Sequence, residues 1–142
     1  HDRLAVIGAQ ALVETVDLLE QGKAPREKQD DALSCYAPML DKKIVKLDFS
    51  QPATKLHDLI RGLSPWPVAH TTFEGKLLKV HRAVVAQAQG DCGPAGKVLD
   101  SKKLIVACGS GALELQQVQL EGGKRISGED FMRGRKAQQL GE

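Results

Sequence analysis

From residue 2 to residue 21 the apolar positions recur with the period of a helix. Leu4, Ile7, Ala11 and Leu18 fall on one row, and Ala5, Ala9, Leu12, Val16 and Leu19 on a second row beside it. Together they make a stripe too wide for a helix lying on one small barrel, so this helix is expected to be buried on more than one side. Gly22 supplies its stop signal. Residues 23–41 lose all period. They are polar, hold Pro25 and Pro38, and read as an extended linker in which Tyr36-Ala37-Pro38-Met39-Leu40 is apolar enough to dock on a surface.

The pattern resumes at Ile44. Ile44, Val45, Leu47 and Phe49 predict a short strand. Ser50 is expected to cap a helix that tolerates Pro52 in its first turn. That helix presents Ala53, Leu56, Ile60 and Leu63 on one face, Lys55, Asp58 and Arg61 on the other, and ends at Gly62. Ser64-Pro65-Trp66-Pro67-Val68 follows, with the single tryptophan of the chain. Two prolines fix φ on either side of Trp66, which rules out a helix interior or a central strand. The expected role is a structural corner with Trp66 packed beneath it; the competing role is an exposed ring that stacks on a base.

Beyond the tryptophan the period falls to two. Residues 69–73 and 77–86 flank Glu74-Gly75, a tight-turn signal. Along the second of these strands Leu78, Val80, Val84 and Ala86 are expected on one face, and Lys79, His81, Ala83 and Val85 on the other. Residues 97–99 and 103–108 predict two further short strands. Residues 112–121 alternate as Leu113/Leu115 and then slip to Val118/Leu120, as a bulge near Gln116-Gln117 would produce. Ser127 caps a last helix, with Asp130 at the reciprocal position. The fold class that follows is α+β: a small OB-like β-barrel of five to six strands with flanking helices, preceded by an orphan helix and a linker.

Composition adds a charge asymmetry. Residues 1–41 carry 4 basic and 8 acidic residues, a net −4, whereas residues 42–142 carry 16 and 10, a net +6. The β-rich part is thus a mildly basic unit suited to a polyanionic partner. Its basic residues include Lys42, Lys43 and Lys46 ahead of the Ser50 helix, Lys79 and Arg82 on the long strand, Lys124-Arg125 in a glycine-rich turn, and Arg133, Arg135 and Lys136 at the end of the last helix. No apolar run spans a membrane. Cys35, Cys92 and Cys108 have neither CxxC nor histidine spacing, so reduced thiols are expected rather than a disulfide framework or a metal site.

Catalytic patterns are missing. Residues 104–111 mimic the strand and first two glycines of a dinucleotide fingerprint, but Glu114 stands at the third glycine and no helix follows. His70 and His81 face each other in the predicted hairpin without a partner for acid–base or metal chemistry. No nucleophile has a placed base.

Several short blocks occur in order and at matching spacing: Tyr36-Ala37-Pro38, Leu47-Asp48-Phe49-Ser50, Ile60-Arg61-Gly62, Pro65-Trp66-Pro67, Gly75-Lys76, Lys79-Val80, Gly93-Pro94-Ala95-Gly96, and the run from Gly122 to Phe131. In this order they resemble the C-terminal portion of the methionyl-tRNA formyltransferases, across essentially the whole chain. The resemblance implies three parts: 1–22 as the last helix of a Rossmann-like N-terminal catalytic domain, 23–41 as linker, and 42–142 as an OB-like tRNA-binding domain. It implies a parent enzyme that transfers a formyl group from 10-formyltetrahydrofolate to initiator methionyl-tRNA. It places the catalytic Asn/His/Asp set upstream, so no catalytic residue, cofactor or metal is expected within these 142 residues. By the same resemblance Lys42, Lys46, Lys79, Arg82, Lys124, Arg125, Arg135 and Lys136 hold the tRNA, in a monomeric protein of the bacterial cytoplasm that works with its own N-terminal domain. Met39 stands where the family usually has Lys, Phe49 where Trp is common, and Ser64 and Val68 where Asn and Gly are usual. The alternative reading is a structural C-terminal module of a formyl-folate enzyme that acts on a small molecule.

Overall fold

The computed structural model describes residues 2–37, 39–40, 44–86 and 92–141. The chain divides into two compact units, residues 1–38 and 39–142. The first is built on α1 (Asp2–Glu20), followed by a 3₁₀ turn at Asp31–Leu33. Gly22, at φ 66°, ends α1, with the Lys23 amide donating to the Leu18 carbonyl at 2.8 Å. No residue of α1 is buried, and Leu4, Val6, Leu12 and Val13 stand exposed. The broad apolar stripe is therefore uncovered within this unit. Among the described residues no helix is long and apolar enough to cross a membrane.

The second unit is an α+β, OB-like half-barrel. Strands β1 (Ala69–Phe73), β2 (Lys76–Ala86), β3 (Ile105–Ala107), β4 (Ala112–Leu120) and β5 (Arg125–Ser127) form one antiparallel sheet. The lateral order is β1-β2-β4-β3, and β5 pairs with β4. Helix α2 (Ala53–Gly62) lies against β2, and α3 (Gly128–Gly134) against β4. The core is a single cluster that includes Leu56, Ile60, Leu63, Leu78, Val80, Leu113, Leu115, Val118 and Phe131. Phe131 meets Phe73 edge to face, ring centres 5.1 Å apart.

The turn chemistry explains the ladder. Glu74 and Gly75 join β1 to β2 with φ of 48° and 72°, and Phe73 pairs with Lys76 across the two-residue loop. Positive φ at both loop residues gives the twist that matches the flanking strands. Strand β4 slips phase where its sequence requires it: Leu113 and Leu115 point inward, then Val118 does. The slip is shared. Val80 pairs with Val118, Arg82 with Gln117 and Ala83 with Leu115, so β2 carries an extra residue at His81 and β4 one at Gln116. The bulge at His81 corrects the face assignment expected for β2. Ala83 joins Leu78 and Val80 in the core, because one unpaired residue reverses the alternation.

Two further expectations change. Residues 44–49 do alternate, with Val45, Leu47 and Phe49 buried, but they join the sheet through one parallel bridge, Lys46 to His70. Ser50 does not cap α2. Its hydroxyl donates to the Asp48 carboxylate at 2.6 Å, the Asp48 side chain also takes the Ser50 amide, and α2 starts at Ala53, whose amide donates to Ser110 O. Ser127 behaves as expected: its hydroxyl oxygen accepts the Asp130 amide at 3.0 Å.

Candidate nucleic-acid interface

The register of the sheet sets a row of side chains across its outer face. Lys46 bridges to His70, His70 pairs with Lys79, Lys79 with Gln119, and Gln119 with Arg125. Directly opposed residues share a face. Flanking residues Val45, Leu47, Ala69, Thr71, Leu78, Val80 and Val118 are all buried, so this row points to solvent. Four steps at the usual strand spacing make it about 19 Å long. Lys124 extends it by one residue at the exposed turn before β5.

Three of the five side chains in the row are formally cationic, and the histidines sense this. The His70 imidazole is held below its usual value by burial first, then by Lys46 and Lys79. His81, two residues along from Lys79 on β2, is lowered by burial, then by Arg125 and Lys79, while its bond to Gln119 opposes the shift. Gln119 locks this corner. Its amide nitrogen donates to Gly123 O at 3.0 Å, which leaves its oxygen to accept from His81 Nε2 at 3.2 Å. The proton therefore sits on Nε2, and His81 Nδ1 is buried with no hydrogen-bond partner among the described residues. Lys79, not His81, stands opposite His70, because the hairpin turn fixes the pairing at Phe73 and Lys76.

Where the double bulge bends the sheet, a groove of about 520 Å³ opens between α2 and the sheet. His57, Arg61 and Ser64 line it from the α2 side, and His81, Arg82 and Arg125 from the sheet. Arg61 shares Asp58 with His57, at 3.4 and 3.1 Å. Among the described residues, no ion pair holds Lys46, Lys79, Arg82, Lys124 or Arg125, whereas Lys103 pairs with Glu114 at 3.6 Å and Arg133 with Asp130 at 2.7 Å. An array of cations without internal carboxylates is what an external polyanion needs.

Of the residues singled out in the sequence, Lys46, Lys79 and Arg125 lie in the row, Lys124 extends it and Arg82 lines the groove. Arg135 and Lys136 are exposed at the end of α3, which packs against β4 and β5, and neither belongs to the row; the Arg135 guanidinium lies 5.3 Å from the Phe131 ring centre. Lys42 lies outside the described residues. Sequence reasoning missed His57, Arg61, His70 and Gln119 as part of this surface. For His70 and Gln119 the signal was in the pairing register, which periodicity alone does not supply.

The largest departure is Trp66. Its ring is 75% exposed, so the corner does not pack it. The peptide bonds Ser64-Pro65 and Trp66-Pro67 are both cis. What fills the space beneath is Leu63 and Val68, joined by the Val68 amide donating to Leu63 O at 2.9 Å. Burial of the aliphatic neighbours on each side leaves the ring free to project.

Residues 39–136 match the family described as formyl transferase, C-terminal domain. The chain is 47% identical over 136 residues to a methionyl-tRNA formyltransferase of Geobacter metallireducens, and 47% identical over 139 residues to one of Geotalea daltonii. A methionyl-tRNA formyltransferase of Solibacter usitatus is 46% identical over 143 residues. These alignments take in 94%, 96% and 99% of this chain and 43%, 43% and 46% of the relatives. The chain therefore spans less than half the length of the curated relatives it matches. The crystal structure of a HypX variant from Aquifex aeolicus superposes with a TM-score of 0.63 over 88% of this chain and 22% of that one, at 15% identity, a likeness of fold alone.

Proposed function

Since this chain belongs to the formyl transferase C-terminal domain family, we propose that it is the tRNA-holding part of a bacterial methionyl-tRNA formyltransferase. In this reading the parent enzyme moves a formyl group from 10-formyltetrahydrofolate to the amino group of initiator methionyl-tRNA. The 142 residues contribute binding and position rather than bond chemistry, and residues 1–22 and 23–41 serve as helix and linker to the catalytic domain. The observation that carries it is the row Lys46–His70–Lys79–Gln119–Arg125, whose cations have no ion pair among the described residues. A line of such residues on a rigid sheet suits a ribose-phosphate backbone, which is read by charge and shape rather than by base identity.

The test is a filter-binding titration of tRNA against this chain at several salt concentrations. Lys46, Lys79, Arg82, Lys124 and Arg125 offer about five phosphate contacts, so log K should fall against log salt with a slope of about −3 to −5. Replacing Lys79 and Arg125 with Gln should flatten that slope by roughly 1.5 to 2. No retention of tRNA even at low salt would sink the reading. Assay of the longer parent protein with methionyl-tRNA then separates it from a relative that formylates a small amine.

A further inference from the structure

Trp66 is an apolar ring held in water on a stiff support. It is the only tryptophan, it is 75% exposed, and a proline fixes φ on each side of it. Leu63 and Val68 anchor the segment in the core. Two residues before the ring, Ser64 begins the lining of the groove that holds Arg61, Arg82 and Arg125. An isolated exposed tryptophan has many possible meanings. A rigid one next to a groove with two arginines unpaired among the described residues has fewer, because the pair offers a π-face and an anion site together.

We propose that this corner captures one unpaired nucleotide of a bound RNA: the base stacks on Trp66 and its phosphate lies in the groove against Arg82 and Arg125. This rests on the reading that the chain binds RNA and adds to it a preference for unpaired over paired segments. Charge complementarity argues for a nucleotide rather than an apolar protein segment, since the groove wall sets three arginines and two histidines, with no carboxylate among the described lining residues, beside Ile60, Ala83 and Val84. Base stacking on an aromatic ring tolerates any base, so the corner supplies affinity and register and not a sequence code. Arg61 is half-committed to Asp58, which leaves Arg82 and Arg125 as the phosphate ligands.

Because Trp66 is the sole tryptophan, its emission reports the corner directly. The 142-residue chain is titrated with a ten-nucleotide oligoadenylate, with a blunt RNA duplex of equal phosphate count, and with tRNA. Quenching by the oligoadenylate and by tRNA, with little change from the duplex, is the expected result. Trp66→Leu should weaken oligoadenylate binding about tenfold or more without altering its salt slope, and Trp66→Phe should retain most of the affinity. Arg82→Gln should lower the slope by about one while leaving the quenching amplitude in place. An unchanged thermal midpoint for Trp66→Leu establishes that the variant is folded. If tRNA is held but the emission does not change, if the duplex quenches equally, or if Trp66→Leu binds like the parent chain, the corner is not a nucleotide clamp although the RNA-binding reading survives. If no RNA is held at all, the broader reading fails and takes the clamp with it.

Discussion

At the scale of single residues, Val68 shows how a backbone requirement and a burial requirement compete. It sits at φ 71°, a region that costs a β-branched residue roughly 1–3 kcal/mol, yet its side chain is buried. Val68→Gly releases the strain and gives up the burial, so the two should nearly cancel, with a net change within about 1 kcal/mol by urea denaturation, against the 2–5 kcal/mol common for large-to-small changes in a core. Phe131 has no such offset. It is fully buried against Phe73, and Phe131→Ala should cost about 3–5 kcal/mol in the same measurement. Gly128 is fixed by contact rather than by φ: a Cβ there would strike the Leu115 carbonyl oxygen, so Gly128→Ala should lower stability by roughly 1–3 kcal/mol. The apolar core residues were legible in the sequence because burial follows side-chain type at regular spacing. Trp66 was not, since an aromatic residue between prolines has the same sequence signature whether packed or projecting.

At the scale of elements, β1, β2 and β4 were readable from alternation and from the Glu74-Gly75 turn. The helix starts were readable only where a side chain reaches the right amide. Ser127 does so; Ser50 instead bonds Asp48, a competition between local side-chain bonds that spacing cannot resolve. The Glu74-Gly75 turn marks the β1–β2 register in the sequence, but the Lys46–His70 and β2–β4 pairings that complete the cationic row are tertiary facts that periodicity does not supply. The row carries its own pH dependence. His70 and His81 have folded-state values below the unfolded value of 6.5, so the unfolded chain binds protons more readily. Their contribution to stability is full above about pH 6.5 and is lost as pH falls through the lowered values. Phosphates beside Lys46, Lys79 and Arg125 would reverse the repulsion, so RNA affinity should rise as pH falls from 7.5 to 5.5 while unliganded stability declines. Opposite signs in filter binding and thermal melting check this, and replacing both histidines with Gln should abolish the difference.

At the scale of the whole molecule, the described residues form two units of different character. One is a helix with its apolar side uncovered; the other has a closed core and a charged outer face. A change of period and of charge near residue 41 accompanies that division along the sequence. The second unit's core includes Val45 at one end of its chain and Leu140 at the other, with the Leu140 amide on Gly96 O and the Gly141 amide on Thr72 O. It should therefore melt as one cooperative transition, with circular dichroism and Trp66-independent probes giving the same midpoint.

The paired bulges tie together the lengths of two strands that are distant in sequence. One extra residue at His81 answers one at Gln116, and the ladder is in step again from Ala83 and Leu115 onward. Deleting either residue alone would keep the alternation of its own strand but leave the other bulge unmatched. Deleting both would restore an unbroken ladder and straighten the sheet at the place where the groove opens. Insertions and deletions at these two positions are therefore coupled. A doubly shortened chain should fold and yet have no recess between α2 and the sheet.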